Sequence, residues 1–364
     1  MKPTRLLHEL GQSLWLDNIT RDMLDDGSLS RRIDELSVTG LTSNPTIFDE
    51  AIGKTAAYDA GIAEKARTGL AGEALFTELA LEDLRRAADL FRPIHEASRG
   101  EDGWVSMEVS PLLADDAAGT LEAAKAIHAQ AGRSNLFVKI PGTAAGIVAI
   151  EEAIFAGVPV NVTLLFSREH YLAAAEAYLR GIERRLAAGL DPRVGSVASV
   201  FVSRWDRAVA GAVPPALANR LGIAIGRRTY RASRDLYASP RWAALAAAGA
   251  RPQRLLWAST GMKDSGARAT LYVEALAAPD TIDTMPEKTL LALAEDGEIK
   301  GAMPADGGDC EAVLAEFGRA GIDIHALAAR LQKEGAESFV GSWRQLMQRI
   351  ADKTAATGPQ QAAG

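Results

Sequence analysis

Asn135-Leu136-Phe137-Val138-Lys139-Ile140-Pro141 is a strand-forming apolar run with a single cation set inside it. The apolar and aromatic residues on either side place Lys139 where an ammonium is expensive to hold. A lone strand lysine ordinarily snorkels to water or forms a structural ion pair, because lysine is seldom buried without a partner. The sharper reading starts from the same fact. Burial penalises the charged form of a lysine, and an amine that has given up its proton is a nucleophile whose natural target is a carbonyl. The choice between the two depends on what the rest of the chain brings to Lys139.

Comparable runs, rich in β-branched and aromatic residues, recur along the chain. They predict strands near Leu14–Asp17, Val38–Thr42, Trp104–Val109, Leu136–Ile140, Pro159–Leu165, Val197–Val202, Leu255–Ala258 and Thr281–Thr284. Between them lie Ala-rich, helix-patterned segments: Gly69–His95, Ala117–Ala131, Thr143–Phe155, Arg168–Ala188 and Trp205–Val213. Pro141-Gly142, Gly157-Val158-Pro159, Pro214-Pro215 and Arg251-Pro252 punctuate the joins. Strands alternating with helices predict a parallel sheet, and eight of them close a (β/α)8 TIM barrel. The alternative is an open doubly wound sheet, but no Gly-x-Gly-x-x-Gly fingerprint follows the first strand. The gaps between the second and third strands, and between the sixth and seventh, exceed one helix and predict extra helices. The reading is one barrel domain over residues 1–350, followed by a small, polar, disordered tail over 351–364.

Composition narrows the function. The chain has 364 residues, 48% of them hydrophobic, which is ample for a large core. Lys+Arg 40 against Asp+Glu 47 leaves a net charge of −7. Nucleic acid is therefore not an expected partner, although a local basic pocket for a phosphate is compatible with that balance. Cys310 is the single cysteine, so neither an intrachain disulfide nor a cysteine metal cluster is expected. No apolar run reaches the length of a membrane span and the start lacks an apolar signal core, so the expected compartment is the cytoplasm. His8, His95, His128, His170 and His325 all fall in helical segments, none at the end of an apolar strand. That placement disfavours a histidine-based triad or metal site.

In a barrel of this kind, chemistry collects at the C-terminal ends of the strands. Read in order, those ends carry Asp17, then Thr42-Ser43-Asn44, Glu108, Lys139, Asn161 with Thr163, Ser199 with Arg204, and Ser259 with Lys263 shortly after. Each has an ordinary reading by itself: Asp17 and Ser259 as helix caps, Asn44 before Pro45 as a turn, Glu108 as a solvated strand end. Polar groups at seven strand ends in succession are harder to assign to turns and caps alone.

These residues resemble a known family. Leu41-Thr42-Ser43-Asn44-Pro45-Thr46-Ile47-Phe48 resembles the Thr-[Ser/Thr]-Asn-Pro signature of transaldolases. Val138-Lys139-Ile140-Pro141-Gly142-Thr143 resembles their Schiff-base lysine segment on the fourth strand. Asn161-Val162-Thr163-Leu164-Leu165-Phe166-Ser167 is similar to their fifth-strand motif. Ser199-Val200-Phe201-Val202-Ser203-Arg204 is similar to the sixth, usually Ser-Pro-Phe-Val-Gly-Arg. Trp15-Leu16-Asp17 and Met107-Glu108-Val109 match the first and third strands. The resemblance implies a cofactor-free class I aldol mechanism on sugar phosphates: a dihydroxyacetone unit passes from a ketose phosphate to an aldose phosphate.

It also implies roles. Lys139 would attack the donor ketone, and Glu108 with Thr163 would hold a water that carries protons. Asp17 would be the acid/base for carbon–carbon cleavage, and Asn44, Asn161 and Ser199 would hold the three-carbon adduct. Phe201 would keep the pocket drier than a tyrosine, which favours transfer over release of free dihydroxyacetone. One departure concerns phosphate. Where many transaldolases carry Gly-Ala-Ser-Phe-Arg, this chain reads Trp257-Ala258-Ser259-Thr260-Gly261, so Gly261 falls at the arginine's place. Lys263 could supply the charge, as a point donor rather than a planar fork; an exposed loop lysine is the equal alternative. Arg204 is the firmer phosphate ligand. Competing readings are a fructose-6-phosphate-type class I aldolase, which uses the same lysine without transfer, and a non-catalytic binding barrel. Ala-rich helix faces serve core and interface equally well, which leaves a homodimer open.

Overall fold

In the computed structural model, which describes residues 1–357, the eight predicted strands are all present. They are β1 (Ser13–Leu16), β2 (Val38–Leu41), β3 (Val105–Glu108), β4 (Leu136–Pro141), β5 (Val160–Leu165), β6 (Ser196–Phe201), β7 (Arg254–Ala258) and β8 (Thr281–Met285). They form one parallel sheet in the order β2-β1-β8-β7-β6-β5-β4-β3. The two ends of that order meet. Leu41 N–H donates to the Trp104 carbonyl and Gly103 N–H to the Thr39 carbonyl, each at 3.0 Å. The Ser43 hydroxyl adds a bond of 2.7 Å to the Ser106 carbonyl. The sheet is thus a barrel, and the open doubly wound alternative falls away. Because helices cover its outside and side chains fill its inside, strand residues are buried on both faces. This is why they read as unbroken apolar runs rather than alternating ones.

The extra helices lie where the long gaps predicted them. Pro45–Lys54, Asp59–Arg67 and Gly72–Ala97 separate β2 from β3, and Ser203–Val209, Leu221–Tyr237 and Pro240–Ala247 separate β6 from β7. The predicted helix Trp205–Val213 stops at Val209, because Gly211 takes φ +74° and starts a turn ahead of Pro214.

Inside the barrel, successive inward positions form layers. One of these layers is apolar: Trp15, Trp104, Phe137, Val197, Leu256 and Ile282 pack together, with Trp104 stacked on Phe137 at 3.9 Å. Gly40 on β2 makes this possible, since a Cβ there would lie 2.6 Å from the Trp15 indole nitrogen. Further along the strands the inward positions turn polar, at Ser106, Asn161 and Ser199.

One expectation is corrected. The C-terminal helix Ile324–Thr357 does not stop at Ile350. Lys353 donates to the Thr55 carbonyl at 3.1 Å and pairs with Asp59, and Arg349 binds Asp49 at 2.7 Å. An anchored helix propagates at little cost through alanine-rich sequence, so the disordered tail expected from residue 351 is helical as far as residue 357. Residues 358–364 of that expected tail lie outside the described residues.

Candidate active site

The polar layer is built from the strand ends. Lys139 is 5% exposed, and its ammonium sits 3.2 Å from Glu108 Oε2 and donates to the Ser43 carbonyl at 3.0 Å. Glu108 and Lys139 are neighbours in the β3–β4 register, and Lys139 is in turn level with Asn161 on β5. The lysine is therefore not alone among apolar groups, as its flanking sequence suggests. The alternation of the strand turns it into a lumen that holds its counter-charge. Its contact with Glu108 is a charge contact and not an aligned hydrogen bond: both carboxylate oxygens, and Thr163 Oγ1 close by, have no hydrogen-bond partner among the described residues.

Asp17 follows β1. The Thr42 hydroxyl donates to its Oδ1 at 2.7 Å, and Thr42 Oγ1 lies 2.6 Å from Thr284 Oγ1. With its one hydrogen committed to Asp17, Thr42 accepts from Thr284, giving a relay Thr284 to Thr42 to Asp17 that orients the carboxylate. Burial raises the Asp17 carboxyl above the usual range, opposed by the Lys139 charge, the Thr42 bond and Lys263. Burial likewise raises Glu108, opposed by Lys139. Two carboxyls with raised affinity for protons thus face one amine, an arrangement that can store a proton taken from the lysine and return it.

Asn161 is wholly enclosed. Its amide donates to Ser106 Oγ at 3.1 Å and accepts from Ser199 Oγ at 2.7 Å. It supports Ser199 from beneath and does not itself line the cavity. Asn44 caps the helix Pro45–Lys54, its Oδ1 accepting from Ile47 N–H at 3.0 Å, which leaves the amide NH2 for a ligand. The turn expected before Pro45 is thus the start of a capped helix. Thr42, Asn44, Lys139, Thr163, Ser199, Phe201, Arg204, Ser259, Lys263 and Asp17 enclose a cavity of about 150 Å3. It adjoins a vestibule of about 630 Å3 into which Arg204, Arg207 and Lys263 bring positive charge, while Lys54 is paired there with Glu50.

Arg204, in the helix Ser203–Val209, lies over the Phe201 ring at 4.9 Å and the Phe339 ring at 5.8 Å. Burial, with Arg207 nearby, lowers its affinity for its proton. Ser259 takes φ +57°, a conformation unusual outside glycine, and its hydroxyl lies 2.9 Å from Ser203 Oγ. Lys263 is exposed at the mouth.

A second cavity, about 580 Å3, lies at the opposite end among Gln12, Arg254, Trp242 and Tyr237. It faces the N-terminal strand ends, away from the amine and both carboxyls. Thr284, Ser106 and Phe339 join the site without having been singled out in the sequence. Thr284 is the last but one residue of β8 and Ser106 stands two residues before Glu108, so strand ends and alternation carry a signal for both; Phe339 has none, being placed by the docking of a distant helix.

The site thus sets a buried amine on the fourth strand of a closed parallel barrel, facing two carboxyls that burial raises, and sequence comparison identifies the family. Residues 14–350 match the family model described as transaldolase/fructose-6-phosphate aldolase. The chain is 42% identical over 358 residues to a protein named transaldolase from Renibacterium salmoninarum, covering 96% of each. It is equally identical to one from Thiobacillus denitrificans, covering 96% of this chain and 100% of the relative. A transaldolase from Neisseria gonorrhoeae is 40% identical over 339 residues, 93% of this chain and 96% of the relative. The chain belongs to the transaldolase/fructose-6-phosphate aldolase family.

Proposed function

We propose that the protein is a transaldolase that moves a dihydroxyacetone unit between sugar phosphates: sedoheptulose 7-phosphate and glyceraldehyde 3-phosphate give erythrose 4-phosphate and fructose 6-phosphate. The observation that carries this is the Lys139 amine, 3.2 Å from a carboxylate at the floor of a cavity walled by polar strand ends. Lys139 passes a proton to Glu108 and its nitrogen lone pair adds to the donor ketone carbon. Protonation of the carbinolamine oxygen, by a water held between Glu108 and Thr163, lets it depart as water and leaves a protonated imine. The unpartnered oxygens of Glu108 and Thr163 suit that water. Asp17 then takes the proton of the hydroxyl on the far carbon of the breaking bond, which becomes the aldehyde carbon of the leaving aldose. The bond's electron pair flows to the imine nitrogen, an aldose phosphate leaves, and an enamine remains on Lys139. The acceptor aldehyde reverses the steps.

Asn44 and Ser199 hold the adduct, with Asn161 fixing Ser199, and Arg204, Ser259 and Lys263 receive the phosphate. Transfer is preferred to simple aldol cleavage because Phe201, packed 5.2 Å from Phe166, and Phe339 present apolar rings to the adduct and limit water. Among the described residues no helix is long and apolar enough to cross a membrane; we assign the cytoplasm on the lone cysteine and on phosphate-ester substrates, whose charge bars them from a bilayer.

Incubation with fructose 6-phosphate, borohydride reduction and peptide mass spectrometry test the reading. A three-carbon adduct on Lys139 is expected, and its absence or its appearance elsewhere sinks the mechanism. Erythrose 4-phosphate added before reduction should discharge the adduct as sedoheptulose 7-phosphate; release of free dihydroxyacetone instead identifies an aldolase.

A further inference from the structure

The C-terminal helix Ile324–Thr357 crosses the end of the barrel that holds the site. We propose that one face of it, Gln332, Gly335 and Phe339, is a working part of the active site: Gln332 is a positioning residue for Lys139 and Thr163, and Gly335 and Phe339 set the place of Arg204. The spacing of three and then four residues puts all three on one face. The proposal rests on the transaldolase reading of the site.

Gln332 Nε2 donates to the carbonyls of Gly142 and Leu164, both at 3.0 Å. These bonds use both amide hydrogens and fix the orientation of the side chain. Gly142 directly follows β4, the strand of Lys139, and Leu164 directly follows Thr163. Gly142 N–H itself donates to the Thr163 carbonyl at 2.8 Å, so one side chain and one backbone bond tie the two strand ends into a closed set.

Leu164 needs such a tie. Its φ is +59°, a left-handed conformation costly for leucine, and the β5–β6 register shifts between Val162 and Leu165. The strand is irregular beside Thr163, and strain of this kind persists only where surroundings hold it. Thr163 Oγ1 has no hydrogen-bond partner among the described residues, so backbone shape sets its aim.

One turn on, a Cβ at Gly335 would lie 2.9 Å from Leu164 Cδ2 and 3.0 Å from Arg204 Nη1. The missing side chain is the room the guanidinium occupies. Phe339 then faces Arg204 from the helix while Phe201 faces it from the barrel. Arg204 makes no hydrogen bond or ion pair among the described residues, so the aromatic faces hold it in place with its donors free for an anion.

The full chain is tested with Gln332→Met and Gly335→Ala. Gln332→Met should lower kcat about tenfold and leave KM for fructose 6-phosphate within about twofold, since misplacing reacting groups by a fraction of an ångström slows the reaction without touching the phosphate seat. Gly335→Ala should keep or raise the thermal midpoint, alanine being the better helix former. It should raise KM for fructose 6-phosphate by about fivefold or more, as a few tenths of an ångström at Arg204 degrade a geometric fit. Reductive trapping by unphosphorylated dihydroxyacetone should change by less than about twofold in that variant. Unchanged constants in both variants, or losses that merely track loss of folded protein, overturn the proposal while the wild-type adduct at Lys139 stands. Absence of that adduct in the wild type removes the transaldolase reading and the proposal together.

Discussion

Asp283→Asn is a perturbation whose size and sign the structure sets. Asp283 lies on β8 between the inward-facing Ile282 and Thr284, so it points to the helical shell, and it is wholly buried. Its Oδ1 accepts from the Thr260 hydroxyl at 2.8 Å, and its Oδ2 has no partner among the described residues. Burial pushes the carboxyl from 3.8 up to about 7. Each pKa unit is worth about 1.4 kcal/mol, so full ionisation in the folded protein opposes folding by roughly 4 kcal/mol at the upper end. The sign follows from proton binding. Below pH 4 both folded and unfolded states are protonated and the residue has no effect. Between about pH 4 and 7 the unfolded chain releases the proton and the folded one keeps it, so stability falls as pH rises, and above 7 the penalty is complete. Asparagine keeps the acceptor for Thr260 and cannot ionise. Urea unfolding of both proteins at pH 5, 6, 7 and 8 should give curves that diverge, with the variant more stable by up to about 4 kcal/mol at pH 8 and the gap shrinking toward pH 5. Asp17, Glu108, Asp83 and Asp206 are also raised by burial, but they are common to both proteins and cancel in the difference. A constant gap across this range refutes the reasoning.

Other outcomes follow from the site. Lys139→Met should abolish the borohydride-trapped adduct and lower kcat by at least about a thousandfold, because a covalent route cannot proceed without its nucleophile; residual adduct by mass spectrometry contradicts this. Thr42→Val removes the bond that lowers the Asp17 carboxyl, so the acid limb of the kcat/KM profile should move to higher pH, and an unmoved limb detaches Asp17 from the chemistry. Phe201→Tyr should increase release of free dihydroxyacetone in a coupled assay by bringing a hydroxyl, and with it water, to the adduct; equal or lower release counts against the dry-pocket argument. Gly40→Ala should destabilise the barrel by roughly 1–3 kcal/mol or more, since the added carbon would sit 2.6 Å from the Trp15 ring nitrogen and 2.7 Å from the Trp104 carbonyl; a wild-type urea midpoint would mean that the core yields there.

The barrel was legible because parallel strands buried on both faces leave long apolar runs, and because polar residues gather at or just beyond their C-terminal ends. That same regularity exposed Asp17, Thr42, Glu108, Lys139, Thr163 and Ser199 one strand at a time. Thr284 escaped although it stands next to the end of β8, and Asn161, expected to contact the adduct, also supports Ser199 and Ser106 through its amide. Both features were accessible to sequence reasoning: period-two alternation puts Asn161 one layer below Thr163. The contribution of Ile324–Thr357 is a different case. Gln332 meets its carbonyl partners across 190 and 168 residues of chain, and local sequence says nothing about where a helix docks. The seven helical residues past Ile350 were misread for the same reason, since Lys353 is held by Thr55 and Asp59 rather than by anything near it in sequence. Lys139 joins the two cases. Its neighbours in sequence made it look like an unpaired ammonium in an apolar strand, whereas its neighbours in space are Glu108 and the Ser43 carbonyl. On the proposed mechanism, Lys139 therefore depends less on its apolar flanks than on Glu108, a carboxyl that burial raises, 3.2 Å away.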